Sequence, residues 1–248
     1  MKYFIDTEFI EGFHKPLFGK KRHFIDLISV GIIAEDGREY YAVSNEFNRK
    51  NADKWVDDNV VHPIELELYK KLTPPEKNMH YYDKGDGAFK YLLKKFGKSN
   101  KQIAEDIVNF INPDLGFHCA SYNNSEFRNK DSYLSKHFDS HNVKDFGEYY
   151  FAQPEFYGYY CDYDWVLFCS LFGRMIDLPK GFPMYCRDLK QVLDERFKLL
   201  NNDPCWKSLD EKLNEVKKRG DYPKQNNEHN ALDDAKWNYE LYKFLQKI

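Results

Sequence analysis

Residues 3–9, YFIDTEF, place two carboxylates at the end of an apolar segment near the start of the chain. The aromatic and β-branched residues around them favour an extended strand. Because side chains alternate along a strand, Asp6 and Glu8 would face the same side, about 7 Å apart along the backbone. Two like charges so placed are costly unless something positive lies between them. A strand end with both acids in water, or an N-cap for a following turn, is the alternative interpretation.

Length, charge and cysteine content bound the class of protein. At 248 residues the chain can bury one sizeable core and still carry excursions. No apolar run approaches the roughly 20 residues that a membrane-spanning helix needs, and no signal peptide pattern precedes the first strand. Five scattered cysteines without a C-x-x-C pair suit reduced thiols, so we expect a cytoplasmic protein. The net charge of −3 does not indicate nucleic-acid binding, but a narrow site needs only local positive charge.

The first part of the chain has the pattern of an antiparallel β-meander. Residues 24–34 and 38–44 are predicted strands, and Asp36-Gly37 between them suits a tight hairpin turn. Residues 11–23 (EGFHKPLFGKKRH) are predicted to form a basic loop between the first two strands.

The rest of the chain alternates between helical and extended segments. A strand is predicted over residues 155–164, leading into an apolar helix that begins at Trp165. Residues 63–98 are interpreted as a partly helical, exposed connection, and residues 112–155 as a polar insertion. Further helices are expected over residues 51–59, 98–111, 187–197 and 231–247. This pattern favours one domain of the α/β class, with a mixed sheet flanked by helices.

The last predicted helix carries an acid on its apolar face. Trp237, Leu241 and Phe244 form the apolar stripe of this helix, and Asp234 lies one turn earlier on the same stripe. An inward-facing carboxylate needs an arginine, a hydrogen-bond network or a metal. His229 lies just before the helix and can lean toward the same place. Taken alone, the two residues are also explained as a cap and a satisfied core pair.

A third candidate acid lies in the middle of the chain. Asp164 is at the junction between the predicted strand over residues 155–164 and the apolar helix. Aspartate is a favoured N-cap residue, which by itself would explain its presence there. Asp162 shares the strand parity of Asp164 and is a rival for the same role.

Three short motifs together resemble the DEDD superfamily of exonucleases. They are D-x-E at residues 6–8, YD at residues 163–164 and H-x-x-x-x-D at residues 229–234. The histidine in the third motif is similar to that of the DEDDh subgroup. The segments IDLISVGIIAEDGREYYAVSNEF, GFPMYCRDLKQ and EHNALDDA look like a compact bacterial and phage branch of 3′–5′ exoribonucleases, related to ribonuclease T and the oligoribonucleases. The similarity covers residues 2–60, 99–111 and 156–248.

This resemblance implies a fold and an activity. The fold is a ribonuclease H-like mixed β-sheet with flanking helices, in a single exonuclease domain over residues 1–248 with insertions at about 61–98 and 112–155. The activity is 3′–5′ exonucleolytic release of nucleoside 5′-monophosphates from single-stranded nucleic acid, with RNA preferred. Members of the family are often homodimers, although no residue here identifies an interface.

The resemblance also implies roles for individual residues. Asp6, Glu8, Asp164 and Asp234 would bind two divalent cations, Mg²⁺ or Mn²⁺, and His229 would act as general base. Hard oxygen ligands suit these ions, and two such ions assist an in-line displacement at phosphorus. The metals would also resolve the conflict between the like charges of the first motif.

Several alternatives stay open. Phe9, where the superfamily often has Thr-Thr-Gly after D-x-E, is either a wedge against the terminal base or a core residue. A basic patch near the end of the first strand is either a phosphate contact or a solvated loop; its residues are Lys15, Lys20, Lys21, Arg22 and His23. A 3′–5′ exodeoxyribonuclease is the closest alternative activity. A non-catalytic nucleic-acid-binding scaffold is the second, but all five motif positions are filled.

Overall fold

β1 (Lys2–His14) is the central strand of a five-stranded sheet in the computed structural model. The structure describes residues 1–14, 19–80, 86–111, 153–197 and 209–247. The other strands are β2 (Arg22–Ala34), β3 (Glu39–Val43), β4 (Glu155–Gly158) and β5 (Arg187–Asp188). Their order across the sheet is β3-β2-β1-β4-β5, in which β2 runs antiparallel to β1 and β3, and β4 runs parallel to β1 and β5.

Helices cover both faces of this sheet. Within the described ranges they are α1 (Lys54–Val56), α2 (His62–Lys70), α3 (Pro74–His80), α4 (Asp86–Phe96), α5 (Asn100–Ile111), α6 (Asp162–Ser170), α7 (Leu189–Arg196), α8 (Leu209–Lys217) and α9 (Ala231–Leu245). A π-helical turn over Asp57–Val61 joins α1 to α2. The predicted α/β class, a mixed sheet flanked by helices, is confirmed.

The alternation of side chains along β1 divides the core into layers. Tyr3 and Ile5 pack into a buried cluster with residues of α5 and α6. Phe4, on the opposite face, packs with residues of α7 and α9. Ile10, further along β1, belongs to a third cluster built with α2 and α4. The residues that follow Phe4 on its own face are therefore those that meet α9.

Several predicted elements are found where the sequence indicates them. The hairpin turn between β2 and β3 contains Gly37 at φ +91°, a left-handed conformation that glycine adopts at little cost. α5 begins after Ser99, whose hydroxyl accepts a hydrogen bond from the Gln102 backbone N–H at 3.2 Å. α9 matches the helix expected over residues 231–247.

Three predictions about local structure are wrong at the level of segment boundaries. Residues 11–23 are not a loop throughout, because the β1–β2 ladder continues to the pair His14 and Arg22. The extended segment starting at residue 155 ends at Gly158, not at residue 164. The chain turns there through Tyr160, whose φ is +54°. Residues 187–197 are not one helix, because Arg187 and Asp188 form β5 and the helix α7 begins only at Leu189.

Residues 63–98 also differ from the prediction of an exposed connection. Ile64 and Leu68, one helical turn apart, are buried on α2, and Phe89 and Leu92 are buried on α4. Because these side chains cover Ile10 and the adjoining sheet, α2 and α4 are part of the core. Of the polar insertion expected over residues 112–155, residues 112–152 lie outside the described residues.

Two expectations from composition can be checked on the described residues. Cys161, Cys169 and Cys186 carry free thiols. No helix in the described ranges is both long enough and apolar enough to cross a membrane.

Candidate active site

The carboxyl half of β1 has an open edge. β4 pairs with β1 only from Lys2 to Phe4, so the polar backbone groups of β1 beyond that point need other partners. The carbonyl of Ile5 accepts a hydrogen bond from the Asn238 side chain of α9 at 2.9 Å. The backbone N–H of Thr7 donates to a carboxylate oxygen of Asp164 at 2.8 Å. Side chains from α6 and α9 therefore replace the missing strand.

Asp164 is the acid of α6 that reaches the sheet. Its Oδ1 also accepts a hydrogen bond from the Thr7 hydroxyl at 2.6 Å, and its side chain is buried. Asp162, its rival in the sequence, is exposed. Both residues lie in the first turn of a helix, so the shared strand parity that linked them in the sequence does not apply.

Asp234 is brought to the sheet by a close approach of α9 to β2. Gly31 of β2 is the register partner of Asp6, and a Cβ atom at Gly31 would overlap the backbone carbonyl of Ala231. Only a residue without a side chain allows the first turn of α9 to lie this close. Asp234, buried in that turn, consequently lies beside the Asp6 and Glu8 face of β1.

His229 precedes Asn230, the N-cap residue of α9, and has a left-handed conformation with φ at +67°. Its backbone N–H donates to Oδ2 of Asp234 at 2.9 Å. Its ring makes an edge-on contact with the exposed Trp55 of α1, with ring centroids 4.8 Å apart. Ligand atoms of Glu8, His229 and Asp234 all lie within 4.8 Å of one another.

The electrostatics of this cluster oppose full ionisation. Burial, and then the charges of Asp164, Glu8 and Asp234, raise the pKa of Asp6 well above its usual value. Burial, and then Asp234 and Asp164, raise the pKa of Glu8 to about 8. Burial also raises the pKa of Asp164, although the hydrogen bonds from Thr7 act in the opposite direction. Among the residues that the structure describes, every charged neighbour that shifts the pKa of Asp6 is thus another carboxylate, and a bound cation would relieve the repulsion.

Comparisons with a protein family and with individual proteins both identify similarity to 3′–5′ exoribonucleases. A model of the Rv2179c-like 3′–5′ exoribonuclease domain matches residues 1–246. The chain belongs to this family. It is 30% identical over 196 residues to the 3′–5′ exoribonuclease Rv2179c of Mycobacterium tuberculosis strain H37Rv, covering 79% of this chain and 76% of the relative. The same figures hold for the 3′–5′ exoribonuclease MT2234.1 of Mycobacterium tuberculosis strain CDC 1551. Membership of the Rv2179c-like family confirms the predicted enzyme class, a 3′–5′ exonuclease.

Three residues at the candidate site of this Rv2179c-like domain are not found by sequence reasoning. Thr7 lies between the two acids of the first motif, and strand alternation assigns it to the other face. Gln225 donates from its side-chain amide to Oδ1 of Asp234 at 2.6 Å, and no motif indicates it. Trp55 gives one weak signal, an aromatic residue within a charged segment.

The residues predicted to contact substrate differ in how exposed they are. Phe9 follows a β-bulge at Glu8/Phe9 and is partly buried against the core, with its ring centroid 5.6 Å from that of the exposed Tyr163. In the basic patch, His23 lies 3.6 Å from the Glu11 carboxylate. Lys20, Lys21 and Arg22 are exposed, and Lys15 lies outside the described residues.

Proposed function

We propose that this chain is a metal-dependent member of the DEDDh subgroup that removes nucleoside 5′-monophosphates from the 3′ ends of single-stranded RNA. The observation that carries the proposal is the convergence of five groups from three separate elements. Asp6 and Glu8 come from β1, Asp164 from the start of α6, and His229 and Asp234 from the start of α9. Family membership supports the exoribonuclease activity itself.

The donor set fits divalent cations. Asp6, Glu8, Asp164 and Asp234 would hold two Mg²⁺ or Mn²⁺ ions, because these hard ions prefer carboxylate oxygens. The ligand atoms of Glu8 and Asp234 are already close together, and the pKa of Glu8 is raised by burial and then by the negative charges of Asp234 and Asp164. Two ions held by these residues would supply activation of a water molecule and stabilisation of the leaving oxygen in the displacement.

We propose that His229 moves the proton of the attacking water. An imidazole changes its charge near neutral pH and can accept a proton during the displacement. The hydrogen bond from its backbone N–H to Asp234 and the contact of its ring with Trp55 hold it beside the carboxylates. We therefore assign His229 the role of general base.

The surroundings of the acids offer contacts for RNA. Phe9 and Tyr163 form an aromatic pair directly after the first motif, which would contact the terminal base by stacking. Lys20, Lys21 and Arg22, exposed where the β1–β2 ladder ends, would contact backbone phosphates.

A time course on matched oligonucleotides tests the proposal. The purified protein is incubated with 5′-labelled single-stranded RNA and DNA of one sequence, with Mn²⁺, Mg²⁺ or a chelator. We expect RNA to shorten from its 3′ end only when metal is present. Asp6→Ala should abolish cleavage while leaving the melting temperature of the metal-free protein equal or higher, because it removes charge repulsion.

Each other outcome has a definite meaning. Faster shortening of DNA would assign the exodeoxyribonuclease activity instead. Intact oligonucleotides under every metal, with a folded protein that binds RNA, would support the non-catalytic scaffold. A marked loss of stability in metal-free Asp6→Ala would indicate that Asp6 is structural.

A further inference from the structure

The segment of residues 223–230 lies along the first turns of α9 and is attached to it by side-chain hydrogen bonds. The Trp237 indole N–H donates to the carbonyl of Pro223 at 3.1 Å. The amide of Asn227 donates to Asp233 at 2.6 Å, and the amide of Gln225 donates to Asp234 at 2.6 Å. Two neighbouring acids of one helix turn therefore each receive a side-chain amide from the same segment.

The two amides have different targets. Asp233 is partly buried, its other oxygen lies 3.9 Å from the Lys236 ammonium, and it is not a member of the group formed by Glu8, His229 and Asp234. Asp234 is buried and lies with Glu8 and His229 in the candidate site. The Gln225 amide therefore contacts a residue of the site, and the Asn227 amide does not.

Both oxygens of Asp234 are engaged by this segment. Gln225 donates to Oδ1, and the backbone N–H of His229 donates to Oδ2 at 2.9 Å. A carboxylate offers about four lone-pair directions, so one donor on each oxygen leaves room for further ligands. Two donors on opposite oxygens fix the rotation of the carboxylate plane, which a single donor would leave free.

We infer that Gln225 is a positioning residue that holds the Asp234 carboxylate in the orientation needed to bind metal. The inference rests on the proposed function, since it assigns Asp234 as a ligand. Outer groups that orient a metal ligand typically change metal affinity or activity by about 10–100-fold when removed. Gln225 would act through Asp234, without touching substrate or metal.

Two variants form a matched pair for the test. Gln225→Ala removes the amide from Asp234. Asn227→Gly removes the equivalent amide from Asp233, and glycine tolerates the φ of +53° at this position. Both changes delete one amide-to-carboxylate bond of the same length in the same segment.

Three quantities are measured on the full chain: Mn²⁺ binding by calorimetry without RNA, the Mn²⁺ concentration that gives half-maximal RNA cleavage, and the metal-free melting temperature. We expect Gln225→Ala to weaken Mn²⁺ binding about 10-fold or more and to raise the half-maximal concentration in parallel. Asn227→Gly should stay within about twofold of the wild type in both metal measurements, since it leaves Asp234 untouched.

The outcomes separate this inference from the proposed function. Wild-type affinity in Gln225→Ala would overturn the role of Gln225. Equal weakening in both variants would overturn it too, because the segment would then act only through its general rigidity. A wild-type protein that binds no Mn²⁺ and cleaves no RNA would instead refute the proposed function.

Discussion

The candidate site has two halves that are held in different ways. Asp6 and Glu8 lie on a strand whose backbone is fixed by the β1–β2 ladder, and Asp164 is tied to that strand by two bonds from Thr7. His229 and Asp234 lie where an exposed segment joins α9. There the contacts are single hydrogen bonds from side chains or loop backbone, and the φ of His229 is positive.

The two halves differ in the kind of unfavourable free energy that each one carries. The strand half is rigid, and its cost is electrostatic, since its carboxylates, partly buried at Asp6 and Glu8 and buried at Asp164, repel one another. The loop half has a conformational cost, because a left-handed backbone is unfavourable for a residue other than glycine. Three of the four groups that would bind metal, Asp6, Glu8 and Asp164, thus lie in the rigid half, and the fourth, Asp234, lies in the other half. The group that would move a proton lies where the chain is held by fewer bonds.

The largest expected effect comes from a change at the junction of the two halves. In Gly31→Ala, the new methyl group would overlap the backbone of Ala231 and Leu232. Since backbone atoms cannot turn aside as a flexible side chain can, α9 must shift away from β2. We expect a loss of about 3 kcal/mol or more in the free energy of unfolding, at or above the upper end of typical overpacking costs. The melting temperature should fall by roughly 6–12 °C, and RNA cleavage should be lost.

Gly220→Ala is the matched control for this change. A Cβ at Gly220 meets nothing within 4 Å, so this variant should melt within about 2 °C of the wild type. If Gly31→Ala melted like Gly220→Ala and cleaved RNA normally, the two halves would not depend on a close approach of α9 to the sheet.

Sequence reasoning finds the parts of each half that depend on local periodicity. A period of two places Asp6 and Glu8 on one face of β1, and a helical period places Asp234 on the buried stripe of α9. The need for glycine at position 31 cannot be found in this way, because it arises from a helix lying against a strand some 200 residues away in the sequence.

The difference between local periodicity and contacts across the fold also explains the predictions that are wrong. Residues 159–164 have strand-like composition, yet β4 ends at Gly158 because the chain must turn there to bring α6 to the open edge of β1. The apolar residues of α2 and α4 look sparse in the sequence, and they are buried only because the extended β1–β2 ladder offers them a surface. Tertiary contacts decided both cases.

The pH dependence of stability tests the electrostatic cost assigned to the strand half. The pKa of Glu8 is about 8 in the folded chain, above its usual 4.5, so between these values the folded protein retains a proton that the unfolded chain releases. The stability of the metal-free protein should therefore fall as the pH rises from about 5 to 8. Glu8→Gln should make this fall smaller without abolishing it, since Asp6 and Asp234 are shifted in the same direction.

Melting temperatures in chelator at several pH values provide the measurement. Adding Mn²⁺ to the wild-type protein should also flatten the pH dependence, because bound cations favour the ionised carboxylates. Parallel pH curves for the wild type and Glu8→Gln would mean that Glu8 is ionised throughout and that the cluster repels less than its geometry indicates.

The smallest expected effect is at Thr7, which joins Asp164 to the strand half. Thr7→Val keeps the shape of the side chain and the backbone N–H bond to Asp164, and removes only the hydroxyl bond of 2.6 Å. We expect a loss of about 1.5–3 kcal/mol in the free energy of unfolding, as for one hydrogen bond to a charged acceptor. Since that bond lowers the pKa of Asp164, its removal should also move the acidic limb of the cleavage–pH profile to higher pH.

Thr7→Ser, which keeps the hydroxyl, should leave the acidic limb in place. If valine and serine gave the same profile, the backbone N–H alone would set the ionisation of Asp164, and the strand half would owe its rigidity to the ladder and not to this side chain.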